Sequence, residues 1–238
     1  MFLRRFVLVI SIVTCGSLTL AAAASAAGGL GPGTFSLRTA SADAFFSTGG
    51  PDGKGGPPPV SWSVSVNRGL NSIHPRGGGA PIVQQDTMLF VSQIDATGNG
   101  AFGCFVIPDG DFVVSRDLQS ATLNTTLTAD EECYGFGSPV DGGKAGGFAG
   151  GGGGGNLSLP LTINVSWSAT SATMTQSDVF MLRCLNFNLA ANSTSQSVVT
   201  SASGTISSLT GSFTDDYSDL AAGRDQVHIN ADFPAACA

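Results

Sequence analysis

The most specific chemical signal in this chain is a set of oxygen donors spaced two residues apart. Asp95, Thr97 and Asn99, followed by Gly100, match the first half of an Asp-x-[Asp/Asn]-x-[Asp/Asn]-Gly calcium loop, with Thr in the third place. Alternate positions of such a loop turn carboxylate, hydroxyl and amide oxygens toward one point, as a hard cation requires. The twelfth position, where a bidentate glutamate closes the shell, is Val106. Turns in β proteins gather Asp and Asn for their own backbone hydrogen bonds, so an ordinary turn competes with a calcium site for these residues. Asp109 with Asp111, and Asp215 and Asp216 with Asp219, are further groups of oxygen donors.

Other chemistries find less. Nucleophilic catalysis needs an activated Ser or Cys beside a histidine base and an orienting acid. The chain has only His74 and His228, the first read as a loop residue before Pro75 and the second on the polar face of a strand. No Gly-x-Ser-x-Gly elbow precedes a helix pattern. Glycoside hydrolysis needs two carboxylates facing each other across a cleft. The only glutamates, Glu131 and Glu132, adjoin each other and Asp130, which suits a solvated loop. A hydrolase built on aspartates that meet only in the folded chain remains an alternative. The run Gly150–Gly155 satisfies dinucleotide patterns trivially and lacks the following helix and the Gly-Lys-Ser/Thr of a phosphate loop.

Four cysteines lie beyond the N-terminal segment: Cys104, Cys133, Cys184 and Cys237. In an exported chain an even number implies two disulfides with three possible connectivities, of which Cys104–Cys133 with Cys184–Cys237 is the expected one. Their spacing matches no zinc pattern. Trp62 and Trp167 invite a sugar-stacking role, yet both fall on the apolar side of alternating segments, where burial is expected. Tyr134 and Tyr217 are better candidates for exposed rings.

The elements that must carry these residues are strands. Val60, Trp62, Val64 and Val66 alternate with Ser61, Ser63, Ser65 and Asn67, and Leu157 to Ala169 alternates for thirteen residues. A period of two places successive side chains on opposite faces and defines half-buried strands. Further strands are expected at Thr34–Ser47, Thr87–Ile94, Ala101–Ile107, Ala121–Thr128, Leu182–Ala191, Ser195–Ser203 and Gln226–Asn230. Asp95–Gly100 and Pro108–Asp111 read as turns, and Ser218–Ala222 before Gly223 as a single helical turn. The fold class is therefore all-β, an antiparallel β-sandwich of roughly eight to ten strands, with an open β-barrel as the alternative. It is preceded by a helical signal peptide. Two segments, 49–59 and 141–155, are Gly/Pro-rich loops within one domain spanning 27–238.

The N-terminus sets the compartment. Arg4 and Arg5, an apolar stretch from Phe6 to Leu20, and Ala24-Ser25-Ala26 form the three regions of a secretory signal peptide, 1–26. The stretch is too short for a spanning helix, which needs roughly 20 apolar residues. Without it the chain keeps 8 basic and 17 acidic residues, a net charge of −9. That balance argues against a nucleic-acid partner, which would want a basic face. Charged residues amount to only 11%, and Ser, Thr, Asn and Gly supply the polar surface instead. The expectation is a bacterial secreted protein without membrane insertion after cleavage. Its expected role is a non-enzymatic binding or envelope-associated module for an extracellular polysaccharide or protein. A calcium-stabilised adhesive module is a further alternative, and no cofactor beyond calcium is implied.

Overall fold

The computed structural model describes residues 33–48, 60–95, 97–128, 157–184, 187–209 and 212–229. Ten strands account for most of them: β1 Gly33–Thr48, β2 Val60–Pro75, β3 Ile82–Ile94, β4 Gly100–Ile107, β5 Phe112–Val114, β6 Ser120–Leu127, β7 Leu161–Ala169, β8 Met174–Cys184, β9 Phe187–Ile206 and β10 Phe213–Ile229. One 3-10 turn, Asp109–Asp111, stands between β4 and β5, and no α-helix occurs among the described residues. Every pairing is antiparallel, in a single unclosed sheet of order β4-β3-β2-β1-β10-β9-β7-β6-β5. β9 is long enough to serve two partners on its far edge. β8 runs along 187–197 and β7 along 200–206.

Alternation builds the core. In β7 the residues Leu161, Ile163, Val165 and Trp167 are buried while Asn164, Ser166 and Ser168 are exposed. The same rule holds for Trp62, Val64 and Val66 in β2 and for Leu89 and Val91 in β3. These rows belong to one apolar cluster with Phe105 of β4, Phe112 of β5 and Leu220 of β10. The sheet therefore curls so that one face meets itself. Its two outermost strands in the pairing order, β4 and β5, are joined by four residues, 108–111. Side chains hold this link and the start of β5 against β3 and β2. Thr87 Oγ1 donates to Asp109 Oδ1 at 2.8 Å, and Arg68 Nη1 donates to the Phe112 carbonyl at 3.1 Å. The Arg68 guanidinium also lies 5.8 Å from the centre of the Phe112 ring, within cation–π range. On another side of the core the Trp167 indole donates to the Asp43 carbonyl at 2.7 Å, tying β7 to β1.

The long strands bury different faces along their length. In β1 the core residues are Ala40, Ala42, Ala44 and Phe46, all even-numbered, yet Phe35 and Leu37 are buried too. The register of β1 with β2 runs unbroken from Gly33↔Pro75 to Thr48↔Val60, so Phe35 and Leu37 lie on the opposite face. Neighbouring strands switch alongside: Val66 against Asn71 in β2, Leu220 against Val227 in β10, and Val198 against Ala191 in β9. The switch falls at a row of Gly69, Thr39 and Gly223. Glycine inside a strand marks a bend or close approach, and a Cβ on Gly223 would stand 2.6 Å from Thr39 Oγ1. Beyond this row the face that forms the core continues outward as a polar surface.

Several expectations are corrected here. Ser218–Ala222 is strand, part of β10, because Leu220 is drawn into the core and Ser218 bonds to buried Thr200. His74 lies within β2, whose pairing with β1 extends to Pro75. The single strand expected over Leu182–Ala191 is two, β8 ending at Cys184 and β9 beginning at Phe187. Leu157–Pro160 precedes β7, since the ladder with β6 begins at Leu161↔Leu127. The signal peptide 1–26, both Gly/Pro-rich loops, Asp130–Glu132, Cys133, Tyr134 and Cys237 lie outside the described residues.

Candidate functional site

The Asp95 loop is the β3–β4 turn, and its oxygens are engaged within it. Asp95 Oδ1 accepts from the Thr97 hydroxyl at 2.6 Å, the Thr97 amide at 2.8 Å and the Asn99 amide at 3.0 Å. Asn99 Nδ2 donates to Thr97 Oγ1 at 2.7 Å. Gly98 takes a positive φ of 84°, which suits the tight turn. Thus the three residues named from the spacing do converge, and they converge on each other. No group of three or more His, Cys, Asp or Glu gathers among the described residues.

These bonds hold the Asp95 carboxyl below the usual aspartate range, the Thr97 hydroxyl contributing most, with burial opposing and the Thr97 and Asn99 amides adding to the effect. Asp117 is lowered in the same way, chiefly by the Ser115 hydroxyl and then by the Gln119 amide. A depressed folded-state pKa contributes stability above the unfolded-state value, and that stability is lost as pH falls through the folded-state value. We expect the Asp95→Asn, Asp117→Asn double variant to show a flatter acid limb in melting temperature, followed from about pH 6 to about pH 2. An unchanged limb would mean that these bonds are not made in solution. Calcium that raised the melting temperature of the parent and not of Asp95→Asn would assign the loop to a cation.

The remaining named residues are dispersed. Cys104 is half-buried in β4 opposite Phe90, and it is not a free thiol. Cys184 ends β8. Asp109 accepts from Thr87, while Asp215 accepts from the amides of Phe45 at 2.7 Å and Tyr217 at 3.0 Å. Trp62 and Trp167 are buried, and Tyr217 is 82% exposed.

What sequence reasoning missed is the polar face beyond the glycine row. The registers place Thr87, Arg68, Ala40, Ala222, Gln196 and Thr175 in one row across β3, β2, β1, β10, β9 and β8. The next row outward is Gln85, Leu70, Arg38, Arg224, Thr194 and Ser177. Then come Val83, Ser72, Ser36, Gln226, Asn192 and Val179, and finally His74, Thr34 and His228. Cross-strand hydrogen bonds order the outer rows: Ser36 with Ser72 at 2.7 Å, and Thr34 with His228 Nδ1 at 3.1 Å. Arg38, Arg224, His74 and His228 are exposed. Three arginines and both histidines of the chain thus share one face, and no Asp or Glu stands in its four rows. The acids of the same strand segments, Asp86, Asp178 and Asp225, occupy positions of the other face. Among the described residues Asp109 adjoins the polar face, through Thr87.

No family model matches the chain, and no curated protein or solved structure matches it. The functional reading therefore rests on this face.

Proposed function

We propose that this chain is a secreted, non-enzymatic binding module of the extracellular space or cell envelope, with the polar face as its contact surface. The observation that carries the reading is an exposed field of hydroxyl, amide and guanidinium groups on a rigid sheet whose other half is anchored in an apolar core. Groups fixed on strands lose little freedom when a ligand arrives, which favours binding. The finer architecture we favour is the open barrel rather than the sandwich. The four-residue link between β4 and β5 supports it, as does the Arg68–Phe112 bond, which joins β2 to β5. Export through a signal peptide over 1–26 and a Cys104–Cys133 bridge complete the proposal, the latter supported by Cys104 not being free.

A thermal-shift screen of the exported, oxidised protein against neutral and acidic polysaccharides tests the reading. A ligand bound only by the folded state at 100 times its dissociation constant stabilises by about 2.7 kcal/mol. We expect at least one glycan to raise the melting temperature, and Ser36→Ala, Ser72→Ala to reduce that rise. A flat response to every glycan would overturn the proposal. Turnover of a glycan, abolished by changing one aspartate, would replace it with the hydrolase alternative.

A further inference from the structure

We infer that the polar face binds an acidic polysaccharide, with a sugar carboxylate seated between Arg38 and Arg224. The inference rests on the binding-module reading and narrows it to one ligand chemistry. Arg38 and Arg224 are direct cross-strand partners on the central strands β1 and β10. Side chains so placed have Cβ atoms about 4.5–5.5 Å apart, and like charges there repel. Both are exposed, and neither has an ion pair among the described residues. Two guanidinium forks side by side match a carboxylate, which accepts paired, charge-assisted hydrogen bonds and relieves the repulsion.

The surroundings select the rest of the ligand. Hydroxyls and amides flank the pair, among them Ser36, Ser72, Gln226 and Thr194, and they offer both donors and acceptors to sugar hydroxyls. The four rows hold no Phe, Tyr or Trp, the large rings on which single-stranded bases stack best. Apolar side chains reach the face mainly as Leu70 and Val83, diagonal neighbours on β2 and β3, and as Val179 on β8, a smaller set than the buried cluster that anchors a peptide. Because the whole chain is acidic, with a formal net charge of −7, attraction to a polyanion must act locally. It then falls within a Debye length of about 8–10 Å and weakens as salt rises.

The experiment is calorimetric titration of the full chain with polygalacturonate, its neutral methyl ester, and poly-glutamate, at low and at high salt. Polygalacturonate is expected to bind at low salt and to lose more than about tenfold in affinity on esterification, equivalent to about 1.4 kcal/mol. Arg38→Ser, Arg224→Ser should lose affinity to the same degree, while Arg116→Ser, which removes an exposed charge away from the face, should not. The double variant should melt no lower than the parent because a repulsive pair is gone, which separates lost binding from lost folding. Equal binding of the methyl ester, undiminished in the double variant, would overturn the acidic ligand and leave the binding module standing. Equal binding of poly-glutamate would overturn it in favour of an acidic protein partner. No binding of any glycan would overturn both.

Discussion

Trp167→Ala is expected to cost about 3–5 kcal/mol, the largest loss from any single truncation in this core. The side chain is fully buried, stands edge-on to Phe112 at 6.4 Å and 81°, and donates its indole N–H to the Asp43 carbonyl. Truncation removes a large apolar volume, opens a cavity the strands cannot refill, and takes away the donor that links β7 to β1. A domain of this size is stable by about 5–15 kcal/mol, so little margin remains. Trp167→Phe keeps a ring and loses the donor, and should cost about 1–3 kcal/mol. Trp62 gives the contrast. It is equally buried, but its indole nitrogen has no hydrogen-bond partner among the described residues. Replacing an unsatisfied buried donor by an apolar group is close to neutral, so Trp62→Phe should cost less than Trp167→Phe. Urea unfolding with matched m-values reads all three. Equal costs for the two Phe variants would mean that the Trp167–Asp43 bond does not hold β7 against β1.

That both tryptophans belong to the core is legible in the sequence, because each stands in a strand with one wet and one dry face. Burial of a single face writes a period of two, as in Val60–Asn67 and Leu161–Ala169. Where that condition fails, so does the pattern. Met174–Val179 of β8 is exposed throughout, including Met174 and Val179, and it shows no alternation to find. Ser218–Ala222 looks helical by local preference, and pairing with β1 and β9 overrides it. The switch of buried face leaves a subtler trace. Phe35 and Leu37 are out of phase with Ala40, Ala42 and Ala44, without a turn residue between them. A phase slip inside one strand signals that the sheet changes its covered side.

The candidate sites divide along the same line. The Asp95 turn is legible because its bonds span only four residues. The arginine face is not. Arg38, Arg68 and Arg224 lie far apart in the chain and meet only through the registers of β1 with β2 and β10. A one-residue slip in either pairing would send one of them to the other side. Charge is thus sorted by face, and net charge alone, which reads as uniformly acidic, conceals it.

Register itself gives the second large effect. Gly204 in β9 is paired with Val165 of β7 and with Phe213 of β10, close to where β9 exchanges β8 for β7 on its far edge. A Cβ there would collide with the Asn164 carbonyl oxygen and stand 2.9 Å from Val165 Cα. Both are backbone atoms of a paired strand, so neither can swing aside as a side chain would. Gly204→Ala must push β7 away from β9 or shift its register, and a shift would turn Leu161, Ile163, Val165 and Trp167 out of the core. The expected cost is about 3 kcal/mol or more, at the upper end for overpacking. Gly69 is the control, since a Cβ there meets nothing within 4 Å. Gly69→Ala should leave stability unchanged or raise it by up to about 1 kcal/mol through a stiffer unfolded chain. Thermal and urea unfolding of the pair decides between steric and intrinsic effects. If both substitutions change stability equally, the close approach of β7 to Gly204 is wrong, and with it the register that carries Trp167 inward.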